Sequence, residues 1–255
     1  MITEKIGGYK IERFNSIEEL PINRHMTFNR LAMVDAGIGA TIKAIDAHDK
    51  QIIAYARSGD TNKVIQQTLN RNKAMNLIIQ GYNPNLMCYV TLIKSINGEP
   101  LYDLSDENLK KVVDMLGKSG KQSKLTKIID DVKKKFEKEL DELFPDRFDN
   151  PQVKDFFGKR KKRVLLILKK LIDKESEVNE DIEKIDKYLY DLMKPEIYSG
   201  KEGMEAKYIR SFEEMSFVLS QHTSQNPKEM TVVEYLRAWE VVKKQNKPSI
   251  GKGKK

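Results

Sequence analysis

One cysteine in 255 residues, Cys88, leaves no partner for an intrachain disulfide and excludes a four-cysteine metal cage. Its setting, NLMCYV, is that of a small buried thiol. Glycine (14) and proline (8) are too few for a collagen-like chain or a turn-rich sandwich. No apolar run approaches the roughly 20 residues that cross a bilayer, so no membrane contact is expected. MITEKIGGYKIERF also lacks the apolar core of a signal peptide, and synthesis and folding in a reducing cytoplasm are expected.

Catalytic patterns are missing as well. His25, His48 and His222 lie far apart and outside any H-E-x-x-H, so neither a metal site nor a cofactor is expected. There is no G-x-S-x-G. GKS at 117–119 would need glycine at position 112 to make a phosphate loop, and Val112 stands there, in a helical pattern where that motif follows a strand. Asp130, Asp131, Glu137, Asp141 and Glu142 alternate with Lys133, Lys134, Lys135 and Lys138 at salt-bridge spacing, which reads as a charged outer face. No catalytic residue is assigned, and a non-enzymatic chain is the expectation.

What is present is helical periodicity. A chain with 39% hydrophobic and 33% charged residues suits amphipathic helices with charged outer faces. The expected class is all-α, a multi-helix bundle with a long central helical hairpin, with a small β-hairpin possible near 90–104. The strongest pattern spans 123–173. Leu125, Ile128, Ile129, Val132, Phe136, Leu140, Leu143 and Phe144 draw one stripe along a helix. Pro145 stops it, and Pro151 suits the first turn of the next. In that second arm five basic residues, Lys159, Arg160, Lys161, Lys162 and Arg163, precede five apolar ones, Val164 to Leu168. Five consecutive positions circle a helix, so the arm is expected to pass from a wet collar into a segment buried on every side.

Four regions follow. Residues 1–20 are an irregular, apolar N-terminal arm, docked on a neighbouring subunit or on its own domain. Residues 21–117 form an N-terminal helical bundle, starting at Pro21 and including a helix with Ile42, Ile45, Ile52, Ile53 and Ala56. LMCYVTLIKSI, near 86–96, fits a helix or a strand, with the helix preferred, and Asn97-Gly98 suits either a hairpin turn or a helix stop. GKSGKQS (117–123) marks a boundary, and 118–246 hold the long hairpin plus C-terminal helices, the last capped by Thr231 with Glu234. Residues 247–255 are a disordered basic tail. Ile6, Tyr9, Ile11, Phe14 and Trp239 are the candidate subunit-interface residues. The net charge of +8 is spread thinly. Lys159 to Arg163 are candidate DNA-facing groups, but no aromatic residue lies within the run to stack on bases.

The segments IERFNSIEELPINRHMTFNRLAMVDAGIGATI, FEKELDELFPDRFDNPQVKDFF and NPKEMTVVEYLRAWEVVKK resemble uncharacterised proteins from the structural-gene region of tailed bacteriophages, particularly the crAss-like phages of gut Bacteroides. The resemblance covers about three fifths of the chain and carries no catalytic residue. It implies a virion component made in the bacterial host cytoplasm, such as a ring or adaptor subunit between portal and tail. Its partners would be copies of itself, the portal and tail proteins, with weak contact to packaged DNA. The C-terminal block also resembles tail-assembly chaperones, the alternative reading. A non-sequence-specific nucleic-acid-binding helical protein is a further alternative. On the ring reading, deleting residues 1–20 leaves a folded chain that no longer assembles.

Overall fold

Gly7 and Gly8 decide how the chain begins. The computed structural model describes residues 1–117, 122–145, 151–173, 177–192, 197–198 and 200–245. In it both glycines have positive φ, 57° and 89°, as the tight turn of a β-hairpin requires. They join β1 (Ile2–Ile6) to β2 (Tyr9–Arg13), with Ile6 opposite Tyr9. Asn97-Gly98, at φ 53° and 92°, makes the same kind of turn between β3 (Ile93–Ile96) and β4 (Glu99–Pro100). β2 pairs with β3, giving one antiparallel sheet in the order β1-β2-β3-β4. The rest is mostly helical, as expected. The helix preferred at 86–96 is found only as far as α4 (Pro84–Thr91); 93–96 is instead the strand β3, part of the small hairpin near 90–104.

The chain forms two compact units, Met1–Glu139 with Ile197–Lys255, and Leu140–Glu196. GKSGKQS does not separate them, and the basic tail lies outside the described residues. In the first unit, α1 (Ile22–Gly37) is the central helix, burying Ile22, Phe28, Leu31 and Val34. α4 packs along it, and the Cys88 thiol sits 3.5 Å from the Phe28 carbonyl, where burial pushes its pKa up to about 12. α6 (Gln122–Leu143) reaches α1 through the stripe read from the sequence: Leu125, Ile129, Val132 and Phe136 are all buried, and the Phe136 ring lies 5.9 Å from that of Phe28. α5 (Asp106–Gly117) packs on α4.

The remaining helices of this unit close around α1. α9 (Met204–Ser220) and α10 (Val232–Gln245) meet where Phe212 stacks near Tyr235, ring centroids 5.7 Å apart. Thr231 and Glu234 form the expected capping box, the Thr231 amide donating to the Glu234 carboxylate at 2.8 Å. Two backbone bonds, Ile22 N–H to Met230 O (2.8 Å) and Val232 N–H to Leu20 O (3.0 Å), tie the start of α1 to the start of α10.

α2 (Ile42–Arg57) and α3 (Thr61–Ile79) form a hairpin with a polar seam. His48, buried, reaches the Ile38 carbonyl at 2.8 Å, and Gln67 meets His48 and Gln51, each at 2.5 Å. Ile42 and Ile53 are consequently exposed, because the stripe they belong to is not the face that meets α3.

Arg24 joins the sheet to this bundle. From the first turn of α1 its buried guanidinium donates to the carbonyls of Thr91 (3.0 Å), Ile93 (2.7 Å) and Leu101, and lies 5.6 Å over the Phe14 ring. Three carbonyl oxygens stand where a carboxylate would usually be, and burial lowers the Arg24 pKa.

The first twenty residues correct the expectation of an irregular arm. Ile6, Ile11, Ile17 and Leu20 are fully buried and Phe14 nearly so, all within the first unit, so their apolar character serves the chain's own core. Deleting residues 1–20 is therefore expected to abolish cooperative thermal unfolding, as followed by circular dichroism, and a cooperative melt near the parent's would contradict this packing. Arg24→Met is expected to lower the unfolding free energy by about 3 kcal/mol, since it strands buried carbonyls. Urea denaturation measures this, and an unchanged midpoint would show that the carbonyls do not need the guanidinium.

Candidate functional site

α7 (Pro151–Ile172) and α8 (Asn179–Leu192) make up the helical part of the second unit. Contacts between Asp155 and Tyr188, Arg163 and Asp186, and Lys170 and Asn179 run in opposite chain directions, so the two helices are antiparallel. Arg163 pairs with Asp186 through two hydrogen bonds, which raise its pKa, and Lys159 Nζ lies 5.4 Å over the Tyr188 ring. The Tyr188 hydroxyl donates to Asp155, and this bond raises the tyrosine's pKa. Ile185 is buried between the helices, and Ile182, Leu189, Leu166 and Ile167 are half-buried. At one end a cleft of about 440 Å³ lies among Ile167, Lys170, Leu171, Asn179, Ile182 and Glu183.

The other side of α7 is apolar and bare. Phe157 is 57% exposed, Val164 54%, Leu165 55%, Leu168 47%, Leu171 71% and Ile172 87%. This overturns the expectation that Val164 to Leu168 are buried all round. At ~100° per residue the six fall in a sector of roughly 120°, centred away from the residues that meet α8. A helix apolar on two opposite faces needs two neighbours, and α8 supplies one. The spacing is visible in the sequence. Phe157, Lys161, Val164, Leu168 and Leu171 recur at steps of four and three, the period of a helix-on-helix seam. The run of five apolar residues obscures it by suggesting burial in every direction.

The basic collar is divided between the two sides. Lys159 and Arg163 are engaged by α8, Arg160 lies 5.7 Å over the Phe156 ring, and Lys161 and Lys162 are exposed. It cannot present five charges to one DNA backbone. The candidate interface residues are not gathered into one surface. Ile6, Ile11 and Phe14 are core, Tyr9 is half-buried on β2, and Trp239 is half-buried on α10 with Lys243 Nζ 5.6 Å over its ring.

The first unit holds a second cleft, of about 400 Å³, lined by residues including Met26, Arg30, Asp106, Tyr208 and Phe212. Arg30 donates to Asp106 and, at 2.6 Å, to Glu205. Burial pulls its pKa down, but the two carboxylates outweigh this and the net shift is upward. The Tyr208 hydroxyl is 3.3 Å from the Met26 sulfur, and burial raises its pKa. An arginine held by two acids is a structural tie. No nucleophile and base are paired in this cleft. Among the described residues there is no group of three His, Cys, Asp or Glu able to hold a metal, and no helix long and apolar enough to cross a membrane. Compared with known protein families, curated proteins and solved structures, the chain matches none.

The covered and bare sides of the α7–α8 pair predict opposite responses to mutation. Leu168→Ser is expected to change stability by less than about 0.5 kcal/mol. Ile185→Ala is expected to cost about 2–4 kcal/mol. Denaturant melts of the two variants check this, and a large loss in Leu168→Ser would mean that the face is covered within the chain.

Proposed function

We propose that this chain is a non-enzymatic structural subunit that works through protein–protein interfaces. On the resemblance described above, it is a ring or adaptor subunit at the head-to-tail connector or tail of a tailed bacteriophage. The observation that carries the reading is the exposed apolar face of α7, six large side chains along one helix. Contiguous apolar surface of this kind marks interaction sites. A ring subunit repeats one heterologous contact around an axis, and a helix face that its own unit leaves bare suits such a contact.

Light scattering behind size exclusion tests the reading. On the ring reading the chain forms a discrete oligomer of many subunits, and Leu168→Asp reduces it to monomers with an unchanged circular dichroism spectrum. A monomeric parent that is also absent from purified particles would overturn it in favour of the assembly-chaperone alternative.

A further inference from the structure

The bare face of α7 also states the chemistry of what covers it. We propose that it takes a single amphipathic helix, other than α7, of the neighbouring subunit in the assembly, with an apolar stripe flanked by carboxylates. This rests on the assembly reading above and names the partner's character.

Charge carries the argument. α7 has eight basic residues, Lys154, Lys159, Arg160, Lys161, Lys162, Arg163, Lys169 and Lys170, against one acid, Asp155. That one acid accepts the Tyr188 hydroxyl on the α8 side. α8 shows the kind of helix that α7 accepts. It has five acids (Glu180, Asp181, Glu183, Asp186, Asp191) against two lysines, and it lays Ile182, Ile185 and Leu189 on α7 while Asp186 answers Arg163. The opposite face repeats the same chemistry. Its apolar stripe is bordered by Arg160 on one edge and by Lys162 and Lys169 on the other, with Lys161 inside the stripe, and all four are exposed. A helix like α8, apolar with acidic flanks, matches it.

The steps of four and three from Phe157 to Leu171 fit one helix lying along the stripe over about 16 residues, or ~24 Å. A second copy's α7 is the wrong occupant, because it would bring its own Arg160, Lys161, Lys162 and Lys169 against these and bury Lys161 without a carboxylate. An anionic lipid surface would also answer the charge; the way α8 already meets the other face of α7, apolar residues inward and Asp186 on Arg163, favours a helix, and vesicle binding is the outcome that decides against it.

The test uses the full chain and two labelled synthetic helical peptides of about three heptads, identical in a leucine seam and flanked by Glu in one and by Lys in the other. Fluorescence anisotropy reads binding at low and physiological ionic strength, and vesicles containing phosphatidylglycerol are titrated in parallel. The Glu-flanked peptide is expected to bind, and Arg160→Glu with Lys161→Glu to weaken it at least about tenfold. Leu168→Asp is expected to abolish binding while leaving the circular dichroism spectrum unchanged. Equal binding of both peptides, binding of vesicles alone, or binding indifferent to Leu168→Asp would overturn the proposal. If Leu168→Asp dissolves an oligomer of the chain yet the Glu-flanked peptide does not bind, the assembly reading stands and this partner chemistry falls. If Leu168→Asp affects neither, both fall.

Discussion

A guanidinium buried away from carboxylates has to be answered by carbonyl oxygens, and Arg24 is answered by three, from Thr91, Ile93 and Leu101. These oxygens lie at the end of α4, at the start of β3 and just beyond β4. One side chain on α1 thus ties together the end of the helix, the start of the strand after it and the return of the last hairpin. The neighbouring network has the same character: the Arg13 Nε donates to Glu4 at 2.7 Å, and the Tyr89 hydroxyl donates to the same carboxylate at 3.1 Å. The sheet is small, and it is held to the helices by charged hydrogen bonds as well as by Ile6 and Ile11.

The second unit is built differently. Its polar ties, Arg163 with Asp186 and Tyr188 with Asp155, lie at the surface, where such pairs contribute little to stability. Its apolar surface is only half used. In the first unit an apolar stripe such as that of α6 ends in burial, whereas on α7 an equally apolar stripe ends in solvent. Exposed area of this kind is tolerated where a partner removes it from water, and the excess of positive charge along α7 favours an acidic one.

Single-faced helices are the legible part of the sequence. In α6, Leu125, Ile129, Val132 and Phe136 fall on one stripe and are buried, and Thr231 with Glu234 caps α10 by local rules alone. The β1–β2 hairpin escapes a reading by pattern although Gly7-Gly8 signals its turn, because the flanking strands ITEKI and YKIER carry more charge than apolar residues and look like an arm. The α2–α3 seam cannot be read from periodicity. Apolar periodicity assumes that the buried face is greasy, and here His48 and Gln67 are buried while Ile42 and Ile53 are exposed. α7 misleads for a related reason. Two apolar faces on one helix sum to a run that looks buried all round, and only the structure shows that one face meets no neighbour among the described residues.

The central claim is that the outer face of α7 is open in the isolated chain and covered in its assembly. Hydroxyl-radical footprinting of Phe157, Leu165, Leu168 and Leu171, in the isolated chain and in its assembled complex, tests it directly. The account predicts oxidation of all four in the free chain and protection in the complex, with Ile185 protected in both. Equal oxidation of the four in both states would contradict it.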